Sequence, residues 1–363
     1  MIANNAFNVD VRLSSNYSFE LRHMNKREWA KCLLGFEDAN IYQTWSYSAV
    51  RWGKENICHA LLKKNNITVS AAQVVVIKTP IFRSGIAYIR WAPLWQRCGH
   101  DKDKNVLQQM LGLLFQEFAA SRGLLLRIQL PDINNERFNI CEIFKMEGFK
   151  WICPTEQTLL IDLNPSLDMI QGKMNRSWKR ALKKCLKISP VVIQGHSDEL
   201  FQIFLMLHDE LVQRKGHDPG LVVNEYREMQ KDLQDALKMQ IIICEFDGEP
   251  VAAIIGSLIN QKGIGLLGAT ARKGLNNGAY HFLVLKMIEW MKNNGASSFD
   301  FGGYDPKLHP GTARFKEGLT REIISYGGRF EAYCNLYSHA IVSSVELYRD
   351  LMHKLKFMLF KQV

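Results

Sequence analysis

The sequence predicts an α/β (α+β) protein of two domains, each with a mixed, mainly antiparallel sheet flanked by helices. Runs of β-branched and apolar residues, typical of strands, alternate with amphipathic helical patterns along the chain. A length of 363 residues suits two domains of medium size. The hydrophobic content of 47% is enough for two cores and excludes an intrinsically disordered protein.

The first domain is predicted to span residues 1–163. Apolar residues at helical spacing predict a helix at 19–35. The aromatic segment 41–54 is predicted to be a second helix that ends with Arg51 and Lys54. The remaining elements of this domain are predicted as strands at 60–64, 69–78, 86–91, 124–130 and 158–163, and helices at 104–122 and 139–147.

The second domain is predicted to span residues 164–337, beginning where Asn164-Pro165-Ser166 caps a helix. Its centre is a meander of strands at 240–246, 251–259 and 263–270, in which Asp247-Gly248 makes the first turn. Further elements are predicted as helices at 174–187, 197–215, 223–237, 279–293 and 338–361, and a short strand at 299–301.

Composition and charge limit the function classes. The net charge of +10 and the pI near 9.1 predict an anionic partner, such as RNA, phosphate groups or an acidic membrane surface. Eight cysteines without a CxxC pair and ten histidines without an HExxH pattern predict free thiols and no metal site. A polar N-terminal stretch and the lack of a ~20-residue apolar run predict a cytoplasmic protein without a signal peptide or membrane span.

The segment 174–187 carries six cations on one helical stripe and no acid. Met174, Trp178 and Leu182 form a second, apolar stripe that would face a core. Two interpretations of the cations are open at this point: a solvated face, the usual fate of charged residues, or a surface for a polyanion. Like charges four residues apart repel, and six cations without an acid favour the polyanion, either RNA or lipid headgroups. The six cations are Arg176, Lys179, Arg180, Lys183, Lys184 and Lys187.

The stretch 298–321 concentrates potentially reactive side chains beside flexible backbone. Gly302-Gly303 is predicted to end the strand at 299–301, because glycine tolerates the angles of a sharp exit. A turn-rich loop at 304–310 and a restart at Gly311 are predicted to follow. The stretch contains two acids, a histidine and two cations: Asp300, Asp305, His309, Arg314 and Lys316.

The order Phe-Asp-Phe-Gly-Gly at 299–303, a loop of about a dozen residues, Phe315-Lys316 and then Gly318 resembles the late signature of the Fem family. Members of that family are aminoacyl-tRNA-dependent aminoacyltransferases that build the peptidoglycan cross-bridge, and they consist of two domains of the GNAT (acetyltransferase-like) fold. The resemblance implies transfer of an amino acid from aminoacyl-tRNA to an amine of a peptidoglycan precursor (lipid II or UDP-MurNAc-peptide) or a related peptide. It also implies that the helix at 338–363 packs back onto the first domain.

The resemblance also suggests roles for single residues. Lys316 would stabilise the oxyanion of the reaction, and Phe315 would shield the site from water. Arg214, together with Arg51 or Lys54, would bind the diphosphate of the acceptor. We further expect Tyr304 to contact substrate, and we expect the six cations of 174–187 to bind tRNA.

Two alternative functions stay open. An acyl-CoA-dependent GNAT N-acyltransferase would cradle a pyrophosphate on the loop 272–279, but the basic position of that motif falls on Leu275, which argues against coenzyme A. A basic RNA- or membrane-binding module without catalytic activity is the second alternative. Some Fem relatives carry a carboxylate at the end of the strand 124–130, where this chain has Gln129.

From the aminoacyl-transfer interpretation we expect no cofactor beyond the aminoacyl-tRNA donor, or acetyl-CoA if the alternative holds. We expect a monomer whose partners are aminoacyl-tRNA and a peptidoglycan precursor. A peripheral association with the inner face of the membrane is a further expectation.

Overall fold

The computed structural model describes residues 16–79, 84–132, 137–153, 156–215 and 223–360. In chain order the strands are β1 (Tyr17–Arg22), β2 (Ile57–Lys64), β3 (Ile67–Lys78), β4 (Gly85–Arg90), β5 (Leu125–Asp132), β6 (Lys150–Cys153), β7 (Gln157–Asp162), β8 (Val191–Gly195), β9 (Gln240–Phe246), β10 (Glu249–Ile259), β11 (Lys262–Thr270), β12 (Ser298–Tyr304) and β13 (Ile323–Ala332). The helices are α1 (Lys26–Leu33), α2 (Trp45–Trp52), α3 (Lys104–Leu114), α4 (Arg137–Met146), α5 (Leu167–Lys173), α6 (Arg176–Leu186), α7 (Asp198–Lys215), α8 (Val223–Asp232), α9 (Arg272–Asn277), α10 (Ala279–Asn293), α11 (Pro310–Glu317) and α12 (Leu336–Phe360).

Contacts divide the chain into two compact units that cross the predicted domain boundaries. Unit 1 comprises residues 1–24, 52–154 and 327–363, and unit 2 comprises 25–51 and 155–326. The segment 25–51 belongs to unit 2, not to the N-terminal domain, because its polar groups bond there. Asn260 Nδ2 donates to the carbonyl oxygen of Phe36 at 2.6 Å, and Ser46 Oγ donates to Asp232 at 2.8 Å.

Unit 1 contains a sheet with the strand order β1-β2-β3-β4-β5-β13, and β6 pairs with β13. The neighbours from β1 to β4 are antiparallel, whereas β4 and β5 are parallel. Helices α3 and α4 and the helical segment Phe115–Ser121 supply buried residues to one core together with the sheet, including Met110, Phe118 and Phe144. Glu346 of α12 accepts a hydrogen bond from Arg127 of β5 at 3.0 Å, so the last helix packs on this sheet.

Unit 2 contains a sheet with the order β13-β7-β12-β11-β10-β9-β8. Its core on one side comes from α5, α6 and α10, with Trp178 and Leu283 buried against Ile254. Helix α7 packs on β9, β10 and β11 with a separate set of buried side chains, including Phe201 and Phe204. The sheet is antiparallel except at the pair β11 and β12, which is parallel.

Some predicted elements differ from the structure, among them the first helix and the start of α11. The prediction of a single helix over 19–35 is wrong, because β1 occupies 17–22 and α1 begins at Lys26 behind the cap Asn25. Phe19 and Leu21 pack on the unit 1 core at the two-residue spacing of a strand, which the helical interpretation overlooked. The loop was predicted over 304–310 with a restart at Gly311, and the structure shows that the restart is helix α11, which begins at Pro310, a residue suited to the first turn of a helix.

No helix within the described ranges combines the length and the apolar character that crossing a lipid bilayer requires.

Candidate functional site

The candidate site is a cleft of about 570 Å³ in unit 2, formed where two parallel strands diverge. Strands β11 and β12 pair only from Lys262 opposite Ser298 to Ile264 opposite Asp300. Beyond these pairs, residues 265–268 of β11 and 301–303 of β12 line the two sides of the cleft. A gap between diverging strands exposes main-chain groups that a regular sheet would use for pairing.

Lys316 lies in the last turn of α11 and lines this cleft. Its Nζ donates to the carbonyl oxygens of Phe301, Gly302 and Gly303 at 2.7, 2.8 and 2.9 Å. Burial lowers the pKa of Lys316 to about 8, and the charge of Asp300 opposes that shift. All three N–H bonds of the ammonium group are therefore engaged, and its charge is held at one place in the cleft wall.

Three consecutive carbonyl groups can meet one atom here because β12 is irregular. In a regular strand neighbouring carbonyl groups point to opposite sides. The pairing of β12 with β7 shifts register between Asp300 and Gly303, and Gly302 adopts a left-handed φ of 78°. The glycine pair that was predicted to end the strand is thus a bulge inside it, and β12 continues to Tyr304.

Asp300 is buried directly beneath this bulge, with 8% of its surface exposed. Its Oδ1 accepts from the Thr158 hydroxyl at 2.5 Å and from the Gly302 N–H at 2.8 Å. Its Oδ2 accepts from the Tyr326 hydroxyl at 2.9 Å. Burial raises the pKa of Asp300, while these hydrogen bonds and the charge of Lys316 act in the opposite direction.

Phe315 packs in an aromatic wall beside Lys316. Its ring lies 4.9 Å from the rings of both Trp178 and His281, measured between centroids. Burial lowers the pKa of His281 to about 4 and raises the pKa of Tyr280, so both side chains are uncharged at neutral pH. The cleft therefore has an uncharged aromatic side in which the charge of Lys316 is weakly screened.

Arg214 and Lys215 at the end of α7 line the cleft as well. Arg214 Nη1 donates to the carbonyl oxygen of Thr270 at 2.9 Å, which fixes one edge of the guanidinium group. Arg214 thus brings a second fixed cation to the same cleft as Lys316.

The basic helix α6 adjoins the rim of the cleft. All six of its predicted cations are exposed, while Trp178 and Leu182 are buried. Gly278, which lines the cleft, lies so close to α6 that a Cβ atom there would be 2.5 Å from the carbonyl oxygen of Ala181. Lys184 Nζ donates to the carbonyl oxygen of Asn276 at 2.5 Å. The cationic surface and the cleft are therefore neighbours within unit 2.

The other predicted site residues lie outside the cleft lining. Arg51 forms an ion pair with Glu225 at 2.7 Å and donates to the Tyr47 hydroxyl at 2.7 Å. Lys54 is exposed and belongs to unit 1. The Tyr304 hydroxyl donates to Glu317 at 2.5 Å. The structure thus places Lys316, Phe315 and Arg214 in one cleft and does not place the remaining three there.

Several residues of the site had no role assigned from the sequence. Asp300 was named among the side chains of 298–321 without a role, although an acid within the apolar Phe-Asp-Phe strand was the available sign of a buried role. Thr158, Tyr326, Trp178 and His281 are distant in sequence, and their convergence follows only from the fold. Within the described residues, no group of three or more His, Cys, Asp or Glu side chains could hold a metal ion.

Comparison with known proteins identifies part of unit 2 as a recognised domain. Residues 172–317 match the family model described as acetyltransferase (GNAT) domain. This range includes α6, the cleft strands and Lys316. No curated protein matches the sequence.

Solved structures share the fold at low sequence identity. The crystal structure of FemX superposes with a TM-score of 0.76 at 14% identity, covering 89% of this chain and 99% of its own. A conserved protein from Bacteroides thetaiotaomicron gives a TM-score of 0.59 at 12% identity, covering 86% of this chain and 99% of its own. A C-terminal domain from Agrobacterium fabrum, named for lysylphosphatidylglycerol synthesis, gives 0.51 at 11% identity, covering 76% of this chain and 84% of its own.

These matches confirm the predicted α/β class with GNAT-type domains and the likeness to Fem proteins at the level of fold. The chain carries an acyltransferase domain of the GNAT type at residues 172–317 and shares its fold with FemX.

Proposed function

We propose that this protein transfers an aminoacyl group from aminoacyl-tRNA to an amine of a peptidoglycan precursor or a related peptide. The observation that carries the proposal is the contact between the cationic helix α6 and the rim of the cleft that contains Lys316. A tRNA bound along α6 would have its acceptor end beside that cleft. An acyl donor without a long polyanionic body could not contact all six exposed cations.

The chemistry of aminolysis fits the cleft. The acceptor amine attacks the ester carbonyl carbon of the aminoacyl-tRNA, and a C–N bond forms as charge develops on the carbonyl oxygen. The C–O bond to the ribose then breaks, and the proton lost by the amine ends on the ribose oxygen. Lys316 would stabilise the oxyanion as a fixed positive charge, because its three N–H bonds are already donated to backbone carbonyls. Phe315 would exclude water that could hydrolyse the ester.

Arg214 is suited to an anionic group of the acceptor. One edge of its guanidinium group is fixed by Thr270, so the group can meet phosphate oxygens without being reorganised. We keep Arg51, Lys54 and Tyr304 as proposed secondary contacts to substrate, outside the cleft lining. One protein of similar fold is named for the synthesis of lysylphosphatidylglycerol, in which an amino acid is joined to a lipid. A lipid-borne acceptor should therefore be tested beside a nucleotide-linked one.

The geometry of the loop 271–278 favours tRNA over acyl-CoA as donor. In a pyrophosphate cradle the backbone N–H groups of this loop would be free for the ligand. Here the loop folds into α9, and the Leu275 N–H donates to the Ala271 carbonyl at 3.1 Å. The Arg272 N–H donates to the Glu210 carboxylate at 2.8 Å, which places a negative charge where a pyrophosphate would approach.

The test is a transfer assay with two donors and two acceptors. A tRNA pool charged with radiolabelled amino acids, or radiolabelled acetyl-CoA, is incubated with the protein and with UDP-MurNAc-pentapeptide or lipid II. We expect label to move from tRNA to an acceptor and not from acetyl-CoA. Transfer from acetyl-CoA alone would establish the acyl-CoA alternative, and tRNA binding without any transfer would establish a binding module.

A further inference from the structure

Gly302 of unit 2 is hydrogen-bonded both to the buried acid Asp300 and to the cation Lys316 of the cleft. The Gly302 N–H donates to Asp300 Oδ1 at 2.8 Å, and the Gly302 carbonyl oxygen accepts from Lys316 Nζ at 2.8 Å. The Thr158 hydroxyl lies within hydrogen-bond distance of both Asp300 Oδ1 and the Gly302 carbonyl oxygen, at 2.5 and 2.9 Å. A buried acid and a partly buried cation are therefore connected through one peptide unit and one hydroxyl.

We propose that Asp300 is the positioning residue of this site: its carboxylate holds the Gly302 bulge that gathers three carbonyl groups around Lys316, and its charge keeps the Lys316 ammonium protonated. The inference rests on the proposed function for the role of Lys316 in transfer. It assigns to Asp300 no contact with substrate, because the carboxylate is enclosed by Thr158, Gly302 and Tyr326.

The geometric part of the argument concerns the bulge. Without an acceptor for the Gly302 N–H, that partly buried donor would lose its hydrogen-bond partner, which is unfavourable. A relaxed strand would turn the Gly302 carbonyl away from its neighbours, and Lys316 would keep fewer than three acceptors.

The electrostatic part concerns the charges around Lys316. Burial disfavours its charged form, and Asp300 is the group whose charge favours it. Other titratable groups face Lys316 or Asp300 from the helices and strands around them. They are Arg214 and Lys215 of α7, Tyr280 and His281 of α10, Asp305 and His309 before α11, Arg314 and Glu317 in α11, Tyr304 of β12, and Tyr326 of β13 with Tyr42 near it. Asp305 and Glu317 are the acids among them, and Asp300 is the acid whose charge raises the pKa of Lys316.

The experiment separates charge from shape. Asp300→Asn removes the charge, while its amide oxygen can still accept from Gly302 and its NH₂ can donate to the Tyr326 oxygen. Protein with ¹³C-labelled lysine is titrated by NMR, and the Lys316 resonance is assigned by its loss in Lys316→Met. We expect the pKa of Lys316 to fall by about one unit in Asp300→Asn. Asp162→Asn, an exposed carboxylate on the adjacent strand β7, is the matched control and should leave the titration unchanged.

A kinetic measurement connects the Asp300–Lys316 relationship to the proposed activity. In Asp300→Asn the pKa of the alkaline limb in the pH profile of kcat should decrease by the same amount as the pKa of Lys316. The KM for the charged tRNA should be unchanged. If no transfer activity exists, the NMR titration still tests the Asp300–Lys316 relationship, so the two proposals can fail separately.

Two outcomes would overturn the inference. One is a Lys316 titration that is the same in Asp300→Asn as in the parent protein. If Asp300→Asn does not fold, the coupling can be measured from the other side, because such coupling is reciprocal. Lys316→Met should then raise the pKa of the ¹³C-labelled Asp300 carboxyl group by about one unit, and an unchanged carboxyl titration would refute the inference.

Discussion

Trp178 of α6 donates its indole N–H to the backbone carbonyl oxygen of Phe315 in α11, at 2.6 Å. The two rings also pack, with centroids 4.9 Å apart. The helix that carries the exposed cations and the helix that carries Lys316 are therefore connected by a partly buried hydrogen bond and an aromatic contact. Any displacement of α6 on binding RNA would be transmitted to the cleft wall through this pair.

Trp178→Phe tests that connection. The variant keeps an aromatic ring and loses the N–H donor, so the Phe315 carbonyl keeps only the Gly318 N–H, at 3.3 Å, as a partner. We expect a loss of about 0.5–1.5 kcal/mol in the free energy of unfolding, measured by urea denaturation. We also expect a lower kcat with little change in tRNA affinity. An unaltered unfolding free energy would mean that the carbonyl finds another donor.

Charge reversal on α6 tests the RNA surface. Lys179 and Lys184 already donate to backbone carbonyls, so we choose Arg180, Lys183 and Lys187 for substitution by Glu. If each meets one phosphate, the slope of log K against log salt should decrease in magnitude by about two, and tRNA binding should weaken strongly. The matched control reverses three exposed cations of unit 1, Lys102, Lys104 and Lys145. Equal effects of both triple variants would indicate a response to net charge alone.

Lys316→Met tests the catalytic charge. Removal of one electrostatic group at a developing oxyanion should lower kcat on the order of a hundredfold. Since burial lowers the pKa of Lys316 to about 8, the parent kcat should decrease as the pH rises through that value, and the Met variant should lack this limb. Lys307→Met, on the exposed stretch before α11, serves as the control and should retain the parent rate. A folded Lys316→Met protein with the parent kcat would exclude a catalytic role.

Arg214→Lys tests the acceptor contact. Lysine keeps the charge but loses the planar fork that meets two phosphate oxygens at once. We expect a raised KM for the acceptor and unchanged kinetics towards the charged tRNA. Arg180→Lys, a conservative change on α6, should leave the KM for the acceptor unaffected. An effect of Arg214→Lys on donor kinetics alone would contradict the assignment.

Gly302→Ala tests the bulge. Gly302 has a left-handed φ of 78°, and a Cβ atom there would lie 3.3 Å from the Gly265 carbonyl oxygen. We expect a loss of about 1–2 kcal/mol in the free energy of unfolding. At Gly303 a Cβ atom would meet nothing within 4 Å, so Gly303→Ala is the control and should change stability little. Similar losses in both variants would argue against special strain at Gly302.

The elements with strong periodicity could be predicted from the sequence. The predicted helix at 279–293 has the same bounds as α10, because its apolar residues recur at helical spacing. Strand β13 could not be predicted, since Gly327-Gly328 interrupts its apolar pattern. Strand β6 has only four residues, too few for a periodic pattern.

The site was predictable only in part, because some of its contacts join residues that are far apart in the sequence. Phe315 and Lys316 belong to one local motif, and Arg214 follows from the family resemblance. The hydrogen bond from Tyr326 to Asp300 joins residues 26 positions apart on different strands, and that from Thr158 to Asp300 joins residues 142 apart. Local spacing carries no information about such pairs, which depend on the sheet order.

Strand β13 has a consequence for biosynthesis. Its residues 323–325 pair with β7 inside unit 2, whereas residues 329–331 pair with β6 inside unit 1. All segments of unit 2 are translated before the final segment of unit 1. Strands β7 to β12 of unit 2 can therefore pair while translation continues, whereas β5 and β6 wait for a neighbour strand translated about 200 residues after β5. During that interval the exposed edges in unit 1 are a target for chaperones, and mutations that slow translation near residue 330 should increase aggregation.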